Sequence, residues 1–376
     1  MLEFLALKTE AFGLDISDLS VKIAKLEKRG GILGLSSFGE AEIKPGAVEE
    51  GEVKDEDVLA KAIEGVTARA KGKKIKTKYV VCSLPEEKAF LQVIQVPKMK
   101  EEQLRGAVRF ESENYIPLPI EEVYLDFQIV QPLYNHLDHT DVLIAALPKK
   151  TVDPYVASIK KAGFIPLVLE VESQAISRAI IKKEVSPFPA LIIDLGATRT
   201  SFIIFSGCSL RFTSSIPISS RHFTEAIIRN LKKDPVEAEK LKIKYGVGTN
   251  QTKEGKQTLE SLIPALTDLI EQIKIHLSYY QTHAFHEHLP ARNVVSAAGW
   301  HPNGKGVSKI FLCGGGANLK GLARILSLEL KIPVELGNPW INILPEPLRE
   351  VPDLPYEKSL GYTTALGLAL RGIKEK

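Results

Sequence analysis

Short apolar runs alternate with stretches of helical periodicity along this chain, the pattern of an α/β protein. Gly13–Ser17 (GLDIS) and Ser20–Glu27 (SVKIAKLE) read as two strands joined by a polar turn. Asp55–Gly72 predicts an amphipathic helix, with Asp55 at its start and Gly72 as its stop. Lys78–Pro85 is a buried strand closed by proline, and Lys98–Pro119 holds a helix ended by a Pro-x-Pro segment. Two further strand-like runs, VYLDFQIVQP and DVLIAALP, complete a small inserted βαβ-type unit between Pro85 and Pro148. Pro154–Phe164 predicts a helix, Pro166–Glu172 a strand and Ser173–Lys183 another helix. After Pro187–Pro189 a new strand series opens with Ala190–Gly207. Thr224 to about His288 is mostly helical, Lys309–Leu326 is strand, glycine turn and helix, and Leu360–Gly372 is a closing helix of small residues.

The 376 residues suffice for two domains, and 44% hydrophobic with 25% charged residues is an ordinary balance for burying a core. A net charge of +3 excludes a strongly basic nucleic-acid binder. Cys82, Cys208 and Cys313 lie far apart without a CxxC pair. That excludes a disulfide scaffold and a Cys-rich zinc module, and fits a reducing compartment. The first residues lack a secretory pattern, and no apolar run nears the roughly 18 residues of a membrane span. The expectation is a soluble, cytoplasmic protein that meets a membrane only through a partner.

One near-repeat carries chemistry. Asp15-Ile16-Ser17-Asp18-Leu19-Ser20 matches Asp194-Leu195-Gly196-Ala197-Thr198-Arg199 in register, with apolar strand residues on both sides. Two copies of strand, Asp, turn and strand suggest a duplicated fold with a ligand between the copies. A carboxylate at a strand end can hold hydrated Mg²⁺, while turn N–H groups and hydroxyls receive phosphate oxygens. Ser17, Ser20, Thr198 and Thr200 offer hydroxyls and Lys22 a cation. Either turn alone reads first as a plain hairpin turn, since Asp, Gly and Ser favour turns, and it is the two copies in register that shift the balance. In Cys313–Leu322 (CGGGANLKGL) three glycines admit close backbone approach to a ligand before a helix N-terminus. This segment matches neither the dinucleotide nor the P-loop fingerprint, and a simple glycine turn accounts for it as well. Glu239 and Lys242 share one helix face, suited to a ribose and a base edge or to an exposed ion pair. His283, His286 and His288 lack a completing Cys or carboxylate and read as a solvated helix end. The basic run Lys71–Lys78 has no interleaved aromatics and reads as a solvated linker. Cys82 and Cys313, in apolar strands, read as inert.

Taken in order, GLDIS, EVESQA, LIIDLGATRTS, AEKLKIKYG, FLCGGGANLKGL and YTTALGLALRG resemble the actin/Hsp70/sugar-kinase superfamily. Within it the chain looks like the bacterial branch of the division protein FtsA and, more closely, the type IV pilus assembly PilM family. The resemblance covers nearly the whole chain. It implies an α/β, duplicated actin-like (ribonuclease H-like) two-lobe fold with inserted subdomains. Residues 11–85 and 148–188 would form the first lobe and 86–147 an inserted partner-binding subdomain. Residues 189–223 and 295–376 would form the second-lobe core, and 224–294 a helical nucleotide-covering subdomain. ATP and Mg²⁺ are the implied ligands. Asp15 with Ser17, Ser20 and Lys22 would make the first phosphate turn; Asp194, Gly196 and Thr198 would make the second. Both aspartates would face Mg²⁺ through water. Glu239 and Lys242 would meet ribose and adenine, and Gly314, Gly315, Gly316 and Leu319 would wall the adenine. Glu172 and Gln174 stand where superfamily members position the attacking water. Ala365 and Gly367 would allow the close packing of an inter-lobe hinge.

The first turn reads DIS where the family pattern has DIG, which sets a Ser17 side chain beside the phosphates. FtsA-like proteins carry a terminal membrane helix, whereas this sequence stops at Lys376 directly after the hinge helix. The PilM-like alternative implies docking of the N-terminal tail of a PilN-like inner-membrane protein, through an Ile-Asn-x-Leu-Pro type peptide. The groove would lie between the insert and the first lobe, and Leu91, Val93, Val108 and Tyr115 are the expected contacts. Trp340–Pro345 (WINILP) mimics that peptide, so a self-docking or homo-oligomer contact is set against an ordinary surface segment. The function expected is an ATP-binding pilus scaffold with slow turnover or none, its nucleotide biasing lobe closure and partner affinity. A polymerising division-type scaffold and a small-metabolite kinase are the alternatives.

Overall fold

The computed structural model describes residues 10–130, 139–248, 251–283, 306–345, 347 and 351–374. The first half is built on a six-stranded sheet. Ala11–Ile16 (β1) is buried along its whole length, as a strand covered on both faces must be. It pairs antiparallel with Ser20–Arg29 (β2), which pairs with Ile32–Glu42 (β3). A small ribbon of Val48–Glu49 (β4) and Glu52–Val53 (β5) leads into Glu56–Ala68 (α1). Asp55 caps α1, its carboxylate accepting from the N–H groups of Asp57 and Val58, which contributes about 1 kcal/mol. The helix stops at Ala68 rather than Gly72, because Lys71–Gly72 (β6) is drawn onto the edge of β3 with Gly72 at φ +87°. The basic run is thus anchored at its start, and Lys73 pairs with Glu27 at 2.9 Å. Tyr79–Leu84 (β7) lies parallel to β1.

A smaller layer follows: Phe90–Pro97 (β8), Glu101–Ser112 (α2), Val123–Ile129 (β9) and His139–Pro148 (β10). β8 and β9 run the same way, as a βαβ unit requires, but they are not neighbours. β10 lies between them, antiparallel to both. Its apolar run takes the central place because both its faces find a core. Val142 and Ile144 pack under α2, while Leu143 packs toward the second half of the molecule. Lys149–Lys161 (α3) begins ahead of the expected Pro154, and returns the chain to Ile165–Val171 (β11), parallel to β7 on the edge of the first sheet. Glu172–Ile180 (α4) crosses to the second half.

That half repeats the first. Ser186–Leu195 (β12), Thr200–Gly207 (β13) and Ser209–Ile216 (β14) form a meander. Three helices follow: Ser220–Leu231 (α5), Pro235–Tyr245 (α6) and Lys253–His283 (α7). Lys309–Cys313 (β15), Leu322–Leu330 (α8), Val334–Leu336 (β16), Tyr356–Ser359 (α9) and Thr363–Lys374 (α10) complete the described chain. β12 is antiparallel to β13 and parallel to β15, as β1 is to β2 and β7. α10 packs back onto the first sheet and onto α4. A side chain at Gly13 would meet the Ala365 carbonyl, and one at Gly367 the Ala175 carbonyl.

WINIL is not a free peptide mimic. Trp340 and Ile343 are buried in a cluster with Tyr362 and Leu366. Asn342 Nδ2 donates to the carbonyls of Arg178 (2.8 Å) and Ile181 (2.7 Å), and its Oδ1 accepts from the Lys183 N–H (2.8 Å). The segment closes the end of α4, supplying partners that a helix terminus lacks. His283 ends α7 and stacks on Tyr279 at 4.1 Å, while His286 and His288 lie outside the described residues. No helix among the described residues is long and apolar enough to cross a membrane.

Candidate functional site

The two Asp-bearing turns face one cavity of about 510 Å³. In the first, Ser17 N–H donates to the Ser20 carbonyl at 2.9 Å. The Ser17 hydroxyl folds back onto the same carbonyl at 3.1 Å, so the departure from DIG is absorbed within its own turn. Lys22 Nζ donates to Ser20 Oγ at 3.2 Å. In the second turn the Gly196 N–H donates to the Arg199 carbonyl at 2.9 Å. The carbonyls of Gly196 and Ala197 accept from Ser220 and Arg221, which fixes α5 behind the turn. Thr198 lines the cavity. Thr200 does not: it is fully buried and donates to the Ile218 carbonyl at 2.6 Å, because its strand position points it inward. Ser201 faces the cavity instead.

Asp15 and Asp194 end equivalent strands and are met by equivalent neighbours. Ser83 Oγ, on β7, donates to Asp15 Oδ1 at 3.1 Å, and the Cys313 thiol, on β15, donates to Asp194 Oδ1 at 3.7 Å. Burial pushes the Asp15 carboxyl above its ordinary value, against the Lys22 charge and the Ser83 bond. Burial first, then the Asp15 charge, raises Asp194 to about 6. Glu172, at the start of α4, lines the same cavity and is raised well above the usual range by burial and by Asp15 and Asp194. The Asp15 charge thus weighs on both Asp194 and Glu172, and the Asp194 charge on Glu172. Cys82 and Cys313 are buried and their thiols are pushed up, in keeping with inert cysteines.

The glycine turn closes one side. Gly314 has φ +80°, and a Cβ there would crowd the Leu195 carbonyl at 2.6 Å, while one at Gly316 would meet Leu195 Cδ2 at 2.8 Å. Gly314 and Gly315 line the cavity; Gly316 and Leu319 are buried behind it, Leu319 in the second core. Gln174 is not brought to the cleft. Two residues along a helix turn the side chain about 200°, and Gln174 lines a different cavity. Glu239 and Lys242 lie behind the second turn. Lys242 Nζ is buried and donates to Ser220 Oγ (2.9 Å), the Ser220 carbonyl (3.1 Å) and Thr224 Oγ1 (2.8 Å), and pairs with Glu239 at 2.8 Å. This lysine ties α6 to α5 and does not line the cavity.

The model of the type IV pilus assembly protein PilM family matches residues 13–373. The chain belongs to this family. A solved PilM-PilN type IV pilus biogenesis complex contains a chain 28% identical, with a TM-score of 0.77, over 98% of this chain and 100% of that one. EutJ, an ethanolamine utilization protein of Carboxydothermus hydrogenoformans, is 12% identical with a TM-score of 0.53, over 98% of this chain and 93% of its own. A structure of MreB 5 of Spiroplasma citri bound to AMPPNP is 14% identical with a TM-score of 0.53, over 97% and 96%. These share the fold, which is mixed α/β and actin-like. The cell division protein FtsA of Streptococcus pneumoniae is 24% identical over 255 residues, or 62% of this chain. The match spans 55% of that relative's length.

In this PilM-family chain a second cavity, of about 740 Å³, lies between the insert and the first sheet. Its walls are β9 and β11, which are edge strands of their sheets. α4 contributes Gln174, Ser177 and Arg178, and α10 contributes Arg371. The four residues expected at a peptide groove are not assembled there. Val108 is fully buried under the insert's own sheet, Leu91 and Val93 face the packed interior, and Tyr115 is exposed beyond α2. β8 is the sheet edge away from this cavity and β9 the edge beside it, a strand expected from the sequence but without a docking role. Asp18, Glu87, Arg199 and the Leu360–Thr364 segment also line the first cavity without having been assigned there. Asp18 and Arg199 belong to the matched turns, and their opposite charges at the two turns were the available signal.

Proposed function

We propose that the chain is an actin-like scaffold of the type IV pilus inner-membrane platform that binds Mg²⁺–ATP between its two halves. It docks the cytoplasmic tail of a PilN-like membrane protein in the second cavity, and meets the membrane through that partner. The observation that carries the nucleotide reading is the pairing of two Asp-bearing turns on one cavity, closed by a glycine turn in which Gly314 and Gly316 leave no room for a Cβ. Asp15 and Asp194 are the residues that would hold hydrated Mg²⁺, and the Asp15 charge that helps raise Asp194 is one a cation would offset. Ser17, Ser20, Lys22, Gly196 and Thr198 would receive phosphate oxygens, with Gly314 and Gly315 beside the nucleoside. Mg²⁺ would neutralise phosphate charge, and Glu172, which lines the same cavity, would hold water. Relatives of this fold include MreB 5 with AMPPNP bound.

Two edge strands on one cavity, β9 and β11, support docking of an extended peptide by added strand pairing. The first sheet with β7 and β11, the insert carrying β8 to β10, and the β12–β16 sheet with α5–α7 serve as lobe, docking subdomain and second lobe. Calorimetry tests both parts: Mg²⁺–ATP and an Ile-Asn-x-Leu-Pro peptide should each bind at one site. Binding of neither would sink the reading. Nucleotide-dependent filaments that ignore the peptide would favour the division-type scaffold instead.

A further inference from the structure

Arg199 crosses the cleft. It ends the second turn, yet its guanidinium reaches the first half of the molecule. Nη2 pairs with Asp18 Oδ2 at 2.7 Å, and Nη1 pairs with Glu87 Oε1. The three side chains are only 19%, 12% and 19% exposed, so the pairs are poorly screened. Asp18 is itself fixed, its Oδ1 accepting from the Gly51 N–H at 3.0 Å. The first and second turns are therefore joined by one cation at the cavity between them.

The described residues lining that cavity carry eight carboxyl groups and three cations: Lys22, Lys358 and Arg199. A polyphosphate entering so acidic a space binds by capturing those cations. Lys22 belongs to the first hairpin and is 3.7 Å from Glu40. Arg199 is the cation of the second turn, and a planar guanidinium matches phosphate oxygens in a two-pronged geometry that ammonium lacks.

We propose that Arg199 reads the terminal phosphate of the bound nucleotide. Without that phosphate, Arg199 clasps Asp18 and Glu87 and holds the two turns together. A nucleoside triphosphate draws the guanidinium off these carboxylates onto its last phosphate, and a diphosphate leaves the clasp closed. This deepens the nucleotide reading above and rests on it. The exchange strips Asp18 and Glu87 of their cation, and that loss is subtracted from triphosphate affinity. Arg199 and Asp18 therefore act on triphosphate binding with opposite signs, which a merely structural pair would not do.

The test is calorimetry of the full chain with ATP and with ADP, both with Mg²⁺, on the wild type, Arg199→Gln and Asp18→Asn. Asn keeps an oxygen for the Gly51 N–H. Arg199→Gln should weaken ATP about tenfold or more while moving ADP by less than about threefold, the scale of one charge-assisted bond. Asp18→Asn should tighten ATP and leave ADP nearly unchanged. Both variants should lower the nucleotide-free melting temperature, since both open the clasp. Equal losses for ATP and ADP in Arg199→Gln overturn the proposal, as does weaker ATP binding in Asp18→Asn. Should Arg199→Gln fail to fold, the sign of the Asp18→Asn effect still decides. A wild type that binds neither nucleotide removes the nucleotide reading itself, and this proposal with it.

Discussion

Asp194 carries a carboxyl that folding raises from 3.8 to about 6, by burial and by the nearby Asp15 charge. The unfolded chain releases this proton at lower pH than the native one. Between about pH 4 and pH 6 the native state thus binds more protons, and this group's contribution to stability falls as pH rises through that window. Asp194→Asn removes the burden. Without nucleotide and with Mg²⁺ chelated, the variant should melt higher than the wild type. Its advantage should be greatest above about pH 6 and shrink toward pH 4, as thermal unfolding across that range would record. A constant advantage would mean that Asp194 does not titrate there. Stability gained in this way should come with loss of Mg²⁺–ATP binding, measured on the same preparation. The aspartates were legible in the sequence because strand ends and turn residues are local features. Ser83, which donates to Asp15 from 68 positions away, was not, because only the parallel pairing of β1 with β7 brings it there.

At the scale of elements, α10 and α4 approach each other through Gly367 and Ala175. On an exposed helix Gly→Ala would gain up to about 1 kcal/mol from propensity. Here the added methyl meets the Ala175 carbonyl, and overpacking of that kind costs about 1–3 kcal/mol. Gly367→Ala should therefore lower the urea midpoint; a rise would show that the helices separate freely. Asn342 offers a second check. Truncation to Ala leaves two carbonyls and one N–H at the end of α4 without side-chain partners, so a loss of about 1–3 kcal/mol is expected in the same titration. The small residues of the closing helix were readable as a packing surface. The role of WINIL was not, since its likeness to a docking peptide is a property of sequence and its burial a property of the neighbours it meets.

Across the whole molecule, α4 and α10 touch both cavities. Glu172, Thr363 and Thr364 line the first, while Gln174, Ser177, Arg178 and Arg371 line the second. Arg178 Nη1 also donates to the Gly367 carbonyl at 3.0 Å and pairs with Glu170 on β11, so a wall of the second cavity is bonded to a helix that also lines the first. On the proposed function, nucleotide and peptide should change each other's affinity by one common factor, within the roughly 5- to 150-fold range of such couplings. Calorimetry of each ligand with the other saturating measures it in both directions. Independent affinities would rule out communication through these helices.

By itself the sequence determined the alternation of strands and helices, the two matched Asp turns, the glycine turn and the family. Each follows from contiguous residues and their order. The tertiary structure alone decided which side chains share a cavity. It turned Gln174 away from Glu172, drew Lys242 and Leu319 into packing, set β10 between β8 and β9, and carried Arg199 across to Asp18. Those outcomes depend on the angle at which one element meets another. That angle is fixed by packing between residues far apart in the chain, and no local pattern records it.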